Sequence, residues 1–260
     1  MKGGAAVWRH IAQSVQGLHH SADGIPCQDH CLVRLFGDEP DSALVACVAD
    51  GAGYSPHSDI GSALACESIV QSAAAHFETK RTFANLEAGD VLQWCDTARD
   101  KIYHCAERDQ RQPRDYATTL CAAVVSDRRS VFFQVGDGAI VVRKNAVCGV
   151  VFWPQSGEYI NTTTFLTSAE YRDRLAVATT AAGFSDVALF TDGIERLALK
   201  FDSLTPHLPF FQPLFGALRA ASNVEALAGD LGRLLQSDSV RNKTDDDKTL
   251  VLASRISHHA

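Results

Sequence analysis

Four short apolar runs in this 260-residue chain each adjoin an aspartate, and this arrangement limits the possible folds more than any other feature. Asp50, Asp137 and Asp192 each follow a run and precede a glycine, and the acidic triplet 245–247 comes shortly before another run. Short apolar runs bounded by turn residues indicate buried strands. The four acidic positions are therefore expected at strand ends, where a side chain can reach the rim of a sheet.

The remaining pattern predicts strands alternating with helix pairs. Apolar residues at helical spacing predict the helices, and short apolar or hairpin-bounded runs predict the strands. The predicted helices are 58–77, 86–106, 210–220 and 224–235, and the predicted strands are 45–49, 120–125, 131–135, 139–142, 147–153, 187–190 and 249–253. Helix pairs inserted between hairpin-rich segments favour an α/β (α+β) sandwich with largely antiparallel sheets. We expect a single domain over 1–260, with a polar, threonine-rich surface flap at about 153–182.

Composition excludes several classes of protein. The net charge is −7 and no cluster of lysine and arginine occurs, which argues against binding to nucleic acid. No apolar stretch approaches the length of a transmembrane helix, and the first ten residues lack the apolar core of a signal peptide. We therefore expect no membrane association and a cytoplasmic location, in which the eight cysteines stay reduced.

Two alternatives concern metal chemistry. Cys27 and Cys31, with histidines at 19, 20 and 30, suggest zinc, but no second cysteine pair with finger spacing follows. The strand-end aspartates suggest instead a hard cation, because Mg²⁺ and Mn²⁺ prefer oxygen ligands and adjacent glycines allow close approach of backbone carbonyls. A single Asp-Gly pair is more often only a turn, and Asp137-Gly138 is especially open to that interpretation. A fifth aspartate, Asp29, also precedes an apolar run.

The order of these short motifs resembles the type 2C family of metal-dependent protein phosphatases. The resemblance covers roughly residues 15 to 253, and its form of the early motif is similar to that of a bacterial subgroup. The motifs are PCQD at 26–29, VADGAG at 48–53, ATT at 117–119, VGDG at 135–138, FTDG at 190–193 and DDKTLVL at 246–252, with GEY at 157–159 and FLT at 165–167.

The resemblance implies a fold of four layers, two sheets between helix pairs, and a binuclear Mn²⁺ or Mg²⁺ centre. Asp50 would bridge the two ions, the Gly51 carbonyl would bind one of them, and Asp192 and Asp246 would complete the centre. Which member of the triplet 245–247 is the ligand stays open. A water shared by two such ions is a nucleophile near neutral pH and can attack phosphorus in line.

Two further roles are implied beside that centre. Asp137 with Asp192 would hold a third, weaker ion, and Asp29 would lie close by, acting directly or through water. The expected activity is hydrolysis of phosphoserine or phosphothreonine in a protein that a partner kinase phosphorylates.

The chain also departs from the family pattern. Gly24 stands where an arginine commonly grips the phosphate, and His19 or His20 could replace it, also as a general acid, or could be a solvent-facing polar pair. Gln28, Ala117 and Gly138 replace family residues as well, which leaves open a catalytically weak or inactive relative that binds phosphoproteins.

Two other enzyme classes do not fit the sequence. A metal-dependent nuclease would need a basic groove, and no cluster of lysine and arginine occurs. A cysteine phosphatase would need an arginine six residues after its cysteine, which Cys121 and Cys148 lack.

Overall fold

Two five-stranded antiparallel sheets form the centre of the molecule. The computed structural model describes residues 6–38, 42–155 and 163–257. In spatial order, the first sheet consists of β1 (Ala6–Val15), β12 (Lys248–Ser257), β9 (Asp186–Phe190), β6 (Ala139–Lys144) and β7 (Val147–Phe152). The second sheet consists of β2 (His30–Phe36), β3 (Ala43–Ala49), β4 (Leu120–Val125), β5 (Ser130–Val135) and β8 (Ala176–Thr180). A short hairpin, β10 (Leu199–Lys200) and β11 (Thr205–Pro206), stands apart from both sheets.

The described ranges contain the helices α1 (Leu18–Asp23), α2 (Ser58–Lys80), α3 (Ala88–Arg108), α4 (Tyr171–Arg174), α5 (Glu195–Ala198), α6 (Leu208–Ala220), α7 (Val224–Leu235) and α8 (Asp238–Arg241). Helices α2 and α3 pack on the outer face of the second sheet, and α6 and α7 pack on the outer face of the first. Local signals fix several boundaries: Glu87 and Asp90 form a reciprocal capping box at the start of α3, and the Asn223 side chain accepts from the Ala226 N–H at the start of α7. No helix in the described ranges is long and apolar enough to cross a membrane.

The four-layer order explains why the central strands are continuously apolar. In β3, Val45 and Cys47 face α2 and α3, whereas Leu44, Ala46 and Val48 face the first sheet, and all of them are buried. Successive side chains in a strand point to opposite faces, so a strand covered on both faces needs apolar residues at every position. On the outer face of the first sheet, α6 and α7 pack through a third apolar cluster. The predicted fold class, two antiparallel sheets flanked by helix pairs, is confirmed.

The predicted helices and strands are all present, but two strands of the N-terminal region were not predicted. Strand β1 is at an edge of the first sheet and includes the polar residues Arg9, His10 and Gln13. Strand β2 is at an edge of the second sheet and is only partly buried. Edge strands are covered less completely than central ones, so their sequences lack the continuous apolar run used for prediction.

Part of the region predicted as a flap, 153–182, forms regular structure. Strand β8, Ala176–Thr180, is an edge strand that pairs with β5, and α4 precedes it. Its five residues are mostly half-buried and rich in alanine and threonine, so their pattern did not distinguish them from a loop. The GEY motif at 157–159 lies outside the described residues. The proposal of a flap is therefore restricted to the chain before α4.

Candidate metal centre

Three of the predicted aspartates meet at one rim of the sandwich. Asp50 follows β3 of the second sheet, Asp192 follows β9 of the first sheet, and Asp137 lies in the turn that crosses from β5 to β6. A carboxylate oxygen from each lies within 4.8 Å of the other two. Within the described ranges, this is the one group of histidine, cysteine, aspartate or glutamate side chains close enough to hold a metal ion. The zinc alternative built on Cys27 and Cys31 therefore receives no support.

The threonine pair 118–119 fixes the backbone of Asp50. The Asp50 N–H donates to Thr119 Oγ1 at 3.0 Å, and the Asp50 carbonyl accepts from the Thr118 hydroxyl at 3.0 Å and from the Thr119 N–H at 2.8 Å. The next residue, Gly51, forms an isolated bridge with Thr118. The hydrogen bonds leave the Asp50 side chain free to face the other carboxylates. Ala117 in place of the family glycine does not disturb this arrangement.

Gly51 and Gly193 are glycines because other segments of the chain pass against them. A Cβ on Gly51 would lie 2.6 Å from the Gln28 carbonyl oxygen, and one on Gly193 would lie 1.8 Å from the Asp247 carbonyl oxygen. Both distances are too short for a side chain. The two glycines after the clustered aspartates thus allow the early PCQD segment and the late acidic triplet to reach the same rim.

Asp29 is a buried carboxylate close to Asp50 of the cluster. It is 5% exposed, and its Oδ2 accepts from the Thr191 hydroxyl at 2.7 Å. Burial, and then the charge of Asp247, raise the pKa of its carboxyl well above the usual value, although the Thr191 hydroxyl opposes the shift. Its neighbour Gln28 is 3% exposed, and its side-chain Nε2 donates to the Ser55 carbonyl at 3.2 Å.

The structure separates the members of the acidic triplet. Asp247 is 2% exposed and accepts from the backbone N–H groups of Gly17 and Gln28, both at 2.6 Å. Asp246 is exposed and lines, together with Asp192, a cavity of about 210 Å³ beside the clustered carboxylates. Its negative charge contributes to the raised pKa of Asp50 and of Asp192. Asp245 lines the same cavity, and neither Asp245 nor Asp246 belongs to the group of three clustered carboxylates, whereas Asp247 is engaged in holding the early segment.

The two histidines proposed as replacements for arginine have different surroundings. The His19 side chain is 66% exposed, whereas His20 is 6% exposed with its Nδ1 2.9 Å from Asp247 Oδ2. The other ring nitrogen of His20, Nε2, lies 3.8 Å from the position of a Cβ on Gly53. The solvent-facing interpretation therefore holds for His19 and not for His20. Gly24 ends α1 with a positive φ of 69°, which favours glycine at that position.

The carboxylates at this rim raise the pKa values of one another. Burial raises the pKa of Asp50 well above its usual value, and the charges of Asp29 and Asp192 raise it further. Burial, then Asp137 and Asp246, raise the pKa of Asp192 to about 7. Buried like charges are costly unless a cation neutralises them.

The same rim contains polar atoms that would suit a cation. Among the described residues, Asp137 Oδ1, Asp192 Oδ1 and Gln28 Oε1 are buried oxygens without a hydrogen-bond partner. Such atoms are rare in folded proteins because each loses its hydration. An all-oxygen set of this kind fits Mg²⁺ or Mn²⁺.

Several residues at the site were missed by sequence reasoning. The Thr163 hydroxyl donates to Asp137 Oδ2 at 2.6 Å, and Glu195, Arg196 and Lys243 line the cavity beside Asp246. The sequence offers no signal for Thr163, which is one of three consecutive threonines. Glu195 and Arg196 follow the FTDG motif after Ile194, so proximity to that motif could have identified them.

Comparison with known proteins places this geometry in a family. The family model for "Protein phosphatase 2C" matches residues 16–235. Serine/threonine-protein phosphatase 3 of Escherichia coli (strain K12) is 36% identical over 251 residues, which cover 95% of this chain and 98% of that protein.

Solved structures show the same fold at lower identity. PppA, described as a key regulatory component of T6SS in Pseudomonas aeruginosa, is 16% identical, with a TM-score of 0.64 over 96% of this chain and 99% of that chain. RsbX, solved in complex with magnesium, is 15% identical, with a TM-score of 0.56 over 95% of each chain. The fold and the family match thus agree with the order of motifs along the chain. This chain belongs to the protein phosphatase 2C family and is a protein phosphatase, a hydrolase.

Proposed function

We propose that this protein hydrolyses phosphoserine and phosphothreonine in proteins by means of water activated at a binuclear Mn²⁺ or Mg²⁺ centre. The observation that most supports this proposal is the meeting of Asp50, Asp137 and Asp192, with carboxylate oxygens within 4.8 Å of one another. The similarity to a relative named a serine/threonine-protein phosphatase supports the substrate class. The magnesium in the structure of RsbX supports a hard cation at a fold of this kind.

Each residue of the centre has a distinct part in the proposal. Asp50 would bridge two ions, with the Gly51 carbonyl on one, and Asp192 and Asp246 would complete their coordination. When bound, such ions lower the pKa of a shared water and neutralise charge on the phosphoryl oxygens. The hydrogen bonds from residues 118–119 hold the Asp50 backbone at the end of its strand, which would restrict where its carboxylate can reach.

Two further carboxylates support this arrangement. Asp137, together with Asp192, would hold a third and weaker ion. Asp29, buried and hydrogen-bonded to Thr191, would orient water or a ligand from behind the centre.

His20 is proposed as the proton donor to the departing serine or threonine oxygen. His20 is buried and its Nδ1 lies 2.9 Å from Asp247 Oδ2, although the geometry of that contact is not that of a hydrogen bond. An acid–base histidine needs a fixed position within reach of the proton that it transfers, and burial restricts the position of this one. Unchanged turnover of a His20→Gln variant across the pH range would exclude this role.

The proposal also covers the substrate, the domain organisation and the location of the protein. We propose that the substrate is a phosphoprotein made by a partner kinase, that the whole chain acts as one catalytic domain, and that the region before α4 is a flap beside the site. The eight free cysteines support a cytoplasmic location. None of the described residues of the site favours the alternative of an inactive phosphoprotein-binding relative.

The direct test is replacement of Asp50 by asparagine. Asn keeps the size of the side chain but removes the charge shared by two ions, so both ions should bind more weakly and turnover should fall by about 100-fold or more. Kinetics and calorimetric titration with Mn²⁺ measure the two effects, and Asp202→Asn, an exposed aspartate that is not part of the cluster, is the matched control. If Asp50 were only a turn residue, Asn before Gly would preserve both turnover and Mn²⁺ affinity.

A further inference from the structure

The side chain of Asp137 is held by a residue from the region next to the proposed flap. The Thr163 hydroxyl donates to Asp137 Oδ2 at 2.6 Å. The other oxygen of the same carboxylate, Oδ1, is buried and has no hydrogen-bond partner among the described residues. The hydrogen bond therefore occupies one oxygen and fixes the direction in which the other one points.

The chain around Thr163 is anchored at two further points and passes close to Gly136. The Leu166 N–H donates to the Thr118 carbonyl at 2.8 Å, and Leu166 is fully buried. The Phe165 ring packs against the Tyr54 ring with 6.1 Å between centroids. The Thr164 carbonyl lies 3.2 Å from the position of a Cβ on Gly136, a residue with a positive φ of 103°. Residues 163–168, here called the anchored segment, thus run along the turn that presents Asp137.

We propose that Thr163 is a positioning residue that orients the carboxylate of Asp137 toward a bound cation. The proposal rests on the metal-binding role of Asp137 proposed above. Residues that hydrogen-bond to a metal ligand commonly determine the orientation of that ligand, and their loss typically weakens metal binding by about 10- to 100-fold. Thr163 has the geometry of such a partner, because its bond to Oδ2 leaves the buried Oδ1 free for the cation.

Cation binding and the hydrogen bond between Thr163 and Asp137 should affect each other equally. If the bond between Thr163 and Asp137 strengthens cation binding, then cation binding must stabilise that bond by the same free energy. The anchored segment should therefore become more protected when the Asp137 site is filled. The chain next to the proposed flap would in this way respond to metal occupancy.

The experiment uses the full chain and four variants. Calorimetric titration with Mn²⁺ should show that Thr163→Val weakens the weakest Mn²⁺ site by about 10-fold or more. Thr163→Ser, which keeps the hydroxyl, should restore affinity close to that of the original protein. Thr164→Val removes a hydroxyl from the neighbouring position and should leave affinity unchanged. Asp137→Asn reports whether Asp137 itself contributes to that site.

Hydrogen exchange supplies a readout that does not depend on activity. Saturating Mn²⁺ should slow exchange of the Leu166 amide in the original protein and in Thr163→Ser, but much less in Thr163→Val. Weaker Mn²⁺ binding by Asp137→Asn with unchanged binding by Thr163→Val would overturn the role of Thr163 and leave the proposed function standing. Unchanged Mn²⁺ binding by Asp137→Asn would overturn both the third ion and the role of Thr163.

Discussion

Asp246 and Asp247 are adjacent in the chain but have opposite surroundings. Asp246 is exposed on the cavity beside Asp192, whereas the oxygens of Asp247 are engaged by two backbone N–H groups and lie close to His20. A buried carboxylate with several donors stabilises the loop that supplies them. Residues 17–28, which include α1, lead directly to Asp29, so Asp247 positions the early motif relative to the late one.

This difference predicts opposite effects of two neighbouring substitutions. Asp247→Asn replaces one of two buried acceptor oxygens with an amide group, and it should lower the free energy of unfolding of the metal-free protein by about 1–3 kcal/mol. Asp246→Asn should leave that stability unchanged or raised, because it removes one of several repelling charges, but should weaken Mn²⁺ binding. Urea unfolding and Mn²⁺ titration of both variants measure this. Weaker Mn²⁺ binding by Asp247→Asn, without loss of stability, would reverse the two assignments.

Strands differ in how far the sequence can predict them. Strands β3 and β9 are central and covered on both faces, so their continuous apolar runs were sufficient. Strands β1 and β8 are at sheet edges, where partial exposure tolerates polar and small residues, and neither was predicted. Because those apolar runs also show where each strand ends, the sequence identified the aspartates that follow them.

The rest of the site depends on contacts that sequence patterns do not record. Thr163 binds a carboxylate 26 residues earlier, and Asp247 binds the Gly17 N–H 230 residues earlier. Neither residue differs in type from its neighbours, since each belongs to a run of three identical residues. Only the folded chain shows which member of each run reaches its partner.

We also propose that the region before α4, the proposed flap, governs substrate choice. Replacing residues 156–162 by a short Gly-Ser linker, while keeping Thr163 and β8, should lower kcat/KM for phosphopeptides more than for a small aryl phosphate. The physical reason is that a peptide extends beyond the metal centre, whereas a small ester does not. Kinetics on both substrates measure the ratio, and equal losses on the two would count against a role in recognition.

At the scale of the whole molecule, the site lies where the two sheets meet at one rim. Each sheet contributes carboxylates from strand ends, and the turn carrying Asp137 connects them. In the metal-free protein these carboxylates repel one another in a partly dry environment, which raises the pKa of Asp192 to about 7 and that of Asp50 well above its usual value. The fold therefore concentrates negative charge at one place and relies on other contacts for stability.

The raised pKa values give a testable pH dependence. Between pH 4 and pH 7, the folded metal-free protein retains protons that the unfolded chain has already lost, so its stability should fall as the pH rises through that window. Each such carboxylate contributes a slope of up to about 1.4 kcal/mol per pH unit. Thermal unfolding of EDTA-treated protein across this window measures the effect. Saturating Mn²⁺ should oppose the fall, since bound carboxylates are deprotonated. A rise in metal-free stability over the same window would contradict the charge cluster.

The most direct test of the central claim is hydrolysis of a phosphoserine peptide by metal-stripped protein. After EDTA treatment and verified removal of metal, release of phosphate should fall to background, because the described site offers carboxylates but needs a cation to activate water. Adding Mn²⁺ or Mg²⁺ should restore activity in a saturable way, whereas the same buffer without added cation should not. Full phosphate release by metal-free protein would contradict the account.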